Sequence, residues 1–397
     1  MNRTIVDLHA LQTLPPSNPN RDDVGAPKTG IYGGALRARV SSQAWKRAIR
    51  HSLAQILEPG ELGVRTKQAA ALLAARITAM NSSLTHAQAA RAAREAIKAA
   101  TGSKVEVSRR RSDDAAGEED TVPESAALLF FSTQQLDGLA RLAADGVNTP
   151  GGIAKYFQDK HIKERTRELA QTGASVDIAL FGRMVAETAD LNVEAATQVA
   201  HAISVHPVEI ESDFYTAVDD QTTPAEPSAA MIGTVEFNSA TFYRYAALDV
   251  DQLARNLSAG APTADLSATL LCRAVDAFVH SFVTSLPTGK ITAFGHNTLP
   301  DAVIITLRTA RAVSFAGAFE RPVHATGDGH LHAACQALAD YIPALERAYG
   351  VNDMLHTWVL RVDRNTEPLA GLGTELPLAQ LTQEVGAAAT ERLVEHR

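Results

Sequence analysis

The chain reads as β-like text at both ends with a long Ala-rich stretch between them, and this layout limits the possible folds more than any single motif. Residues Thr4 to Leu11 (TIVDLHAL) are β-branched and apolar and stop near Pro15 and Pro16, which predicts a strand followed by a loop. From about Glu61 to Ala200, segments such as VRTKQAAALLAARITAM, THAQAARAAREAIKAATG, KYFQDKHIKERTRELAQ and VEAATQVAHAIS predict an all-helical block. Beyond His206 the text turns β-like again. VEIESDFYTAV and MIGTVEFNSATFYRYAAL flank a polar, Pro-containing stretch from Asp219 to Ser228 and predict a projecting hairpin. Helices are expected near Thr269 to Ser285, His330 to Tyr349 and Leu378 to His396, with strands near Ala302 to Leu307 and Thr357 to Val362. The fold class is therefore α+β, with a helical block between β-like ends. Inside that block, KVEVSRRRSDDAAGEEDTVPES is basic, then acidic, and reads as an exposed loop.

The most informative segment is RARVSSQAWKRAIRHSLAQILEPG. Ser41 and Ser42 are natural N-caps, and Pro59 and Gly60 stop a helix that starts there. At 100° per residue, Trp45, Ala48, Ile49, Leu53, Ile56 and Leu57 share one face, while Gln43, Lys46, Arg47 and Arg50 gather opposite. From Leu36 to His51 the chain carries Arg37, Arg39, Lys46, Arg47 and Arg50 and no Asp or Glu. An exposed helix face normally interleaves acids with its bases, so this strip suits phosphate. Backbone N–H groups and the positive dipole end at the first turn favour an anion in the same place.

The formal net charge of -8 argues against a generally basic nucleic-acid binder. Exposed charges are screened beyond about 8 Å at physiological salt, so a local basic strip can still hold phosphate. No run approaches the roughly 18 apolar residues of a membrane span, and MNRTIVDLHALQ lacks a signal-peptide layout, so a cytoplasmic location without membrane contact is expected. Cys272 and Cys335 are the only cysteines and make neither a disulfide framework nor a zinc site; both are expected to be buried.

Other chemistry finds little support. His324, Asp328, His330 and His332 fall within HATGDGHLH, but their spacing matches no metal signature and reads as a turn before a helix. Neither Thr326 to Gly329 nor Thr288 to Lys290 completes a nucleotide-binding loop, and no GxSxG elbow is present. Asp22-Asp23 and Asp219-Asp220 are carboxylate pairs in polar loops, where turn formation is the ordinary role.

Several separated motifs resemble one family in its own order. They are NRDD (Asn20 to Asp23), IYGG (Ile31 to Gly34), RVSSQAWKRAIR (Arg39 to Arg50), DIALFGRM (Asp177 to Met184), and DFYTAVDD followed by GTVEFNSATFYRYA. The family is CasC, of the RAMP superfamily: the backbone subunits that bind CRISPR RNA in the type I-E Cascade surveillance complex. The match runs to about Ala247 and is loose in the last third. The resemblance implies an RRM/ferredoxin-like palm (residues 1–60 and 239–397), an inserted helical fingers domain (61–200) and a β-hairpin thumb (201–238). It implies a non-catalytic protein that polymerises with further copies of itself along CRISPR RNA. Other Cascade subunits join it, target DNA pairs through the guide, and no metal or cofactor is involved. By motif position it assigns RNA contacts to Arg21, Lys28, Ser41, Gln43, Lys46 and Arg50, to Met184 at the kink in the RNA, and to Lys155 and Lys160 on a fingers helix. Guides vary in sequence, so such a protein must grip backbone and leave base edges free. The competing reading is a metal-dependent endoribonuclease of an RNA-targeting CRISPR complex, cutting with Asp22 or Asp23.

Overall fold

The first strand runs past the prolines expected to end it. In a computed structural model, which describes residues 3–103, 105–107, 123–185, 188–218, 229–259, 268–325, 327, 329–349 and 353–395, β1 covers Ile5–Ser17. Its pairing register shifts between Leu14 and Ser17, so Pro15 and Pro16 sit in a bulge where no ladder N–H is required. β2 (Thr29–Tyr32) and β3 (Ala35–Val40) form a tight hairpin through Gly33 and Gly34, both at positive φ. A Cβ at Gly33 would collide with the Glu320 carbonyl, so only glycine fits that turn. α1 (Ser42–Leu53) follows and ends one turn before the expected stop at Pro59.

The next stretch is helical but not entirely so. It holds β4 (Gly63–Thr66), α2 (Ala69–Met80), α3 (His86–Thr101), β5 (Val105–Val107), β6 (Pro123–Ser125), β7 (Leu129–Ser132), α4 (Thr133–Gly146), α5 (Ile153–Tyr156), α6 (Lys160–Gln171) and α7 (Val176–Phe181). The strands pair as β4 with β7 and β5 with β6. α3 and α4 open with capping boxes at Thr85/Gln88 and Ser132/Gln135, and alanines facing Leu73, Ile77, Ile97 and Leu139 let these helices pack closely. Most of the basic-acidic loop after Ser103, with Arg109 to Arg111, lies outside the described residues.

VEAATQVAHAIS, expected to be helical, instead supplies β8 (Thr197–Val199) and β9 (Ala202–Ser204). β8 and β9 pair with β11, and β9 also with β3, so nonlocal ladders override the local Ala-rich preference. β10 (Glu211–Val218) and β11 (Ala229–Asp249) are antiparallel arms of the expected hairpin, and its tip, with Asp219 and Asp220, lies outside the described residues. After α8 (Val250–Ser258), α9 (Ala268–Thr284) and α10 (Ile291–Phe294) come β12 (Ala302–Arg308), α11 (Gly329–Tyr349), β13 (Met354–Arg361), β14 (Thr374–Glu375) and α12 (Leu378–Glu395).

The main sheet is ten-stranded among the described residues, ordered β14-β13-β12-β1-β11-β9-β3-β2, with β8 and β10 also on β11. Every pairing is antiparallel except β13 with β14. The chain divides into two compact units: residues 1–55, 197–250 and 272–397 around this sheet, and residues 56–196 with 251–271 around the helices. Among the described residues no helix is long and apolar enough to cross a membrane.

Candidate nucleic-acid interface

In the sheet unit, a loop from Asn18 to Lys28 leads to the start of α1. Asp22 Oδ1 accepts the N–H groups of Val24 (3.0 Å) and Ala26 (2.9 Å), and the Asp22 N–H donates to the Ala26 carbonyl (2.9 Å). Arg21 bridges Pro27, and the Lys28 N–H donates to the Asn20 carbonyl (3.0 Å). The Asn20 side-chain oxygen accepts the Ser41 N–H (2.8 Å), which fastens this loop to the helix start. Asp22 is therefore a turn former, while Asp23 is exposed.

Ser41 caps α1, its Oγ accepting the Ala44 N–H (3.3 Å). The Ser42 N–H and the Arg39 guanidinium point at Nδ1 of His201, 3.3 and 3.2 Å away. Both are donors, so Nδ1 accepts and the ring proton belongs on Nε2. Burial lowers the His201 pKa, and the positive charges of Arg39 and Lys28 lower it further. His201, Arg39 and Lys28 thus surround the first turn of a helix that has no acid there.

Along α1, Gln43 and Arg47 are exposed and Lys46 and Arg50 are half-buried. Neither Lys28 nor Lys46 has a carboxylate within ion-pair distance among the described residues. The opposite face is sealed: Trp45, Ile49 and Leu53 are buried, with Trp45 packed among Leu14, Ala38, Val40 and Phe242. The Arg244 guanidinium lies 3.8 Å from the Trp45 ring centroid and donates to Gln12 Oε1 (2.6 Å) and the Phe282 carbonyl. Burial pulls the Arg244 pKa down to about 9. This sandwich fixes which side of α1 can meet solvent.

Arg37 does not belong to the strip. It is fully buried and donates to the carbonyls of Ser204 (2.7 Å) and Phe319 (2.9 Å), so its charge staples β3 to the far side of the sheet unit. On the hairpin, Phe214 is 64% and Tyr215 42% exposed, flat apolar faces that the sequence alone did not rank.

In the helical unit, Lys155 is exposed at the end of α5. Lys160 is exposed in the first turn of α6, with Glu164 Oε1 at a loose 3.9 Å. Met184 is 83% exposed, which removes the ordinary alternative of a core methionine. Its turn is held by its neighbours. Gly182 has φ 77°, and buried Arg183 donates to the carbonyls of Leu191 (2.8 Å) and Ala170 (2.9 Å) and to Gln135 Oε1 (3.1 Å). Burial brings the Arg183 pKa down to about 10. The cation in FGRM is the anchor, and the methionine is what it presents.

The histidine cluster has a different use. His330 stacks on His206 at 3.8 Å between centroids, Asp328 and Thr326 lie outside the described residues, and no three metal-ligating side chains converge among the described residues. Cys335 is buried, but Cys272 is only half-buried.

Comparison with known proteins agrees with the motifs. The family model described as CT1975-like protein matches residues 6–384. A chain of a solved "CRISPR RNA-guided surveillance complex, pre-nicking" superposes with a TM-score of 0.80 at 33% identity, covering 97% of this chain and 100% of that one. A chain of a "CRISPR RNA-guided surveillance complex" gives 0.70 at 30% identity, covering 97% and 99%. A search of curated protein sequences gave no match. With a family model spanning nearly its whole length and structural relatives of this identity, the chain belongs to the CT1975-like family of CasC-type proteins.

Proposed function

We propose that this chain is a non-catalytic backbone subunit of a type I-E CRISPR surveillance complex, gripping the sugar-phosphate chain of CRISPR RNA without reading its sequence. The observation that carries the reading is the acid-free face of α1, with Lys46 within ion-pair distance of no carboxylate among the described residues and Lys28, Arg39 and the helix dipole converging at its first turn. Phosphates laid on that face gain sequence-independent affinity that weakens with salt. Ser41 and Gln43 add neutral partners for phosphate or ribose oxygens, and Arg21 and Arg50 extend the basic surface.

The strand order β12-β1-β11-β9, with α1 after β1 and α9 before β12, supports a ferredoxin-like palm. The helical unit supports the fingers reading, with residues 251–271 joined to it, and the β10–β11 arms support a thumb. Phe214 and Tyr215 on that thumb offer stacking surfaces indifferent to base identity. Met184, Lys155 and Lys160 take the fingers' share of the RNA. Further copies along one RNA multiply a modest single-site affinity, and other Cascade subunits and target DNA, through the guide, complete the assembly.

The test is the double charge reversal Lys46→Glu with Arg50→Glu. The expected result is loss of assembly on guide RNA with the fold retained by circular dichroism. Assembly with unchanged salt dependence would refute the assignment of this face.

A further inference from the structure

The segment Pro287-Thr288-Gly289-Lys290 completes no nucleotide-binding motif, yet it carries the one non-glycine residue at positive φ among the described residues: Lys290, at φ 49° and ψ 26°. A long-chain residue in the left-handed region is uncommon and strained, and such strain collects at functional sites. Glycine or asparagine would relieve it.

The surroundings show where this lysine is held. Gly289 presses on the loop before Arg21, because a Cβ there would collide with the Pro19 carbonyl. That same loop reaches α1 through the Asn20 to Ser41 hydrogen bond. The far side of the segment is bolted to the sheet: the Thr298 hydroxyl donates to the Thr13 carbonyl (2.9 Å), Gln12 Nε2 donates to the Thr298 carbonyl (2.7 Å), and the Phe294 ring lies 5.8 Å from Phe237. Lys290 is half-buried, and no carboxylate lies within ion-pair distance of it among the described residues. An unneutralised cation, fixed in a costly backbone conformation and next in the chain to the glycine pressed on the loop that carries Arg21, needs a reason other than turn formation.

We propose that Lys290 is a further phosphate-binding residue of the RNA groove, held against the Pro19–Arg21 loop by the Gly289 contact. This rests on the RNA-binding reading above and extends it to a segment far away in sequence. The ammonium on its flexible stem acts as a point charge toward a phosphate next to the one held at the start of α1.

Lys290→Asn tests it, because asparagine accepts the left-handed backbone while removing the charged arm. The full-length protein is titrated against a labelled mixed-sequence single-stranded RNA over a range of salt, beside Lys46→Gln and Lys290→Arg. The expected result is several-fold weaker binding for Lys290→Asn, with the slope of log K against log salt reduced by about 0.7, a melting temperature equal to or above that of the parent, and Lys290→Arg close to parent. If Lys46→Gln loses affinity and slope while Lys290→Asn keeps both, Lys290 is a turn residue and the proposal fails alone. If neither variant changes affinity or slope, the RNA-binding reading of α1 fails and takes this proposal with it.

Discussion

Arg37 and Lys46 are nine residues apart in one acid-free basic run, and the structure gives them opposite work. Replacing Arg37 by methionine keeps most of the volume but removes the donors to the Ser204 and Phe319 carbonyls. An orphaned buried carbonyl costs about 1–3 kcal/mol, so two cost about 2–6. Removing a buried guanidinium that has no carboxylate partner among the described residues returns part of this, and a net loss of about 3 kcal/mol is expected. Lys46→Gln removes a charge that pairs with no carboxylate among the described residues and should change stability by less than about 0.5 kcal/mol. Urea unfolding followed by circular dichroism measures the first effect, and salt-dependent RNA titration the second. Arg37→Met should lower the unfolding midpoint and leave the salt slope unchanged in the folded fraction. Lys46→Gln should keep the midpoint and lose about 0.7 of slope. The reverse pattern, with Arg37→Met stable but weak for RNA, would show that the burial assigned to Arg37 is wrong and that the phosphate strip extends into β3.

Two further outcomes are expected. Burial depresses the pKa of His206, as do the neighbouring His330 and Arg37, and burial with nearby His324 depresses that of His330. The unfolded chain then binds more protons below the ordinary histidine value of 6.5, so this contribution to stability is complete above pH 6.5 and is lost as the pH falls through the depressed values. In His330→Gln the dependence of unfolding free energy on pH below 6.5 should be shallower, and an unchanged slope would refute the coupling. Met184→Ala should leave the melting temperature unchanged, since the side chain is 83% exposed, and weaken RNA binding by about 1 kcal/mol, the scale of a thioether-ring contact. A clear drop in melting temperature would instead mean that Met184 packs inside.

Features that rest on local periodicity and end signals were legible in the sequence. The amphipathic α1, its Ser41 cap, the strands at Ala302–Arg308 and Met354–Arg361, and the helices at Gly329–Tyr349 and Leu378–Glu395 all lie where apolar spacing and breakers put them. The strip on α1 was legible for the same reason, since 3.6-residue periodicity separates Trp45 from Lys46 without knowledge of what either touches. Tertiary structure decided what depends on partners far along the chain. VEAATQVAHAIS became strand because β11 and β3 offered it ladders, and β1 passed Pro15 because a bulge spared it the missing N–H. It also decided the fate of each cation. Arg37, Arg183 and Arg244 went inside to carbonyls and aromatic faces, whereas Lys46 stayed at the surface. A guanidinium's donors can be satisfied by carbonyls contributed from anywhere in the fold, and those partners leave no mark in the text beside it.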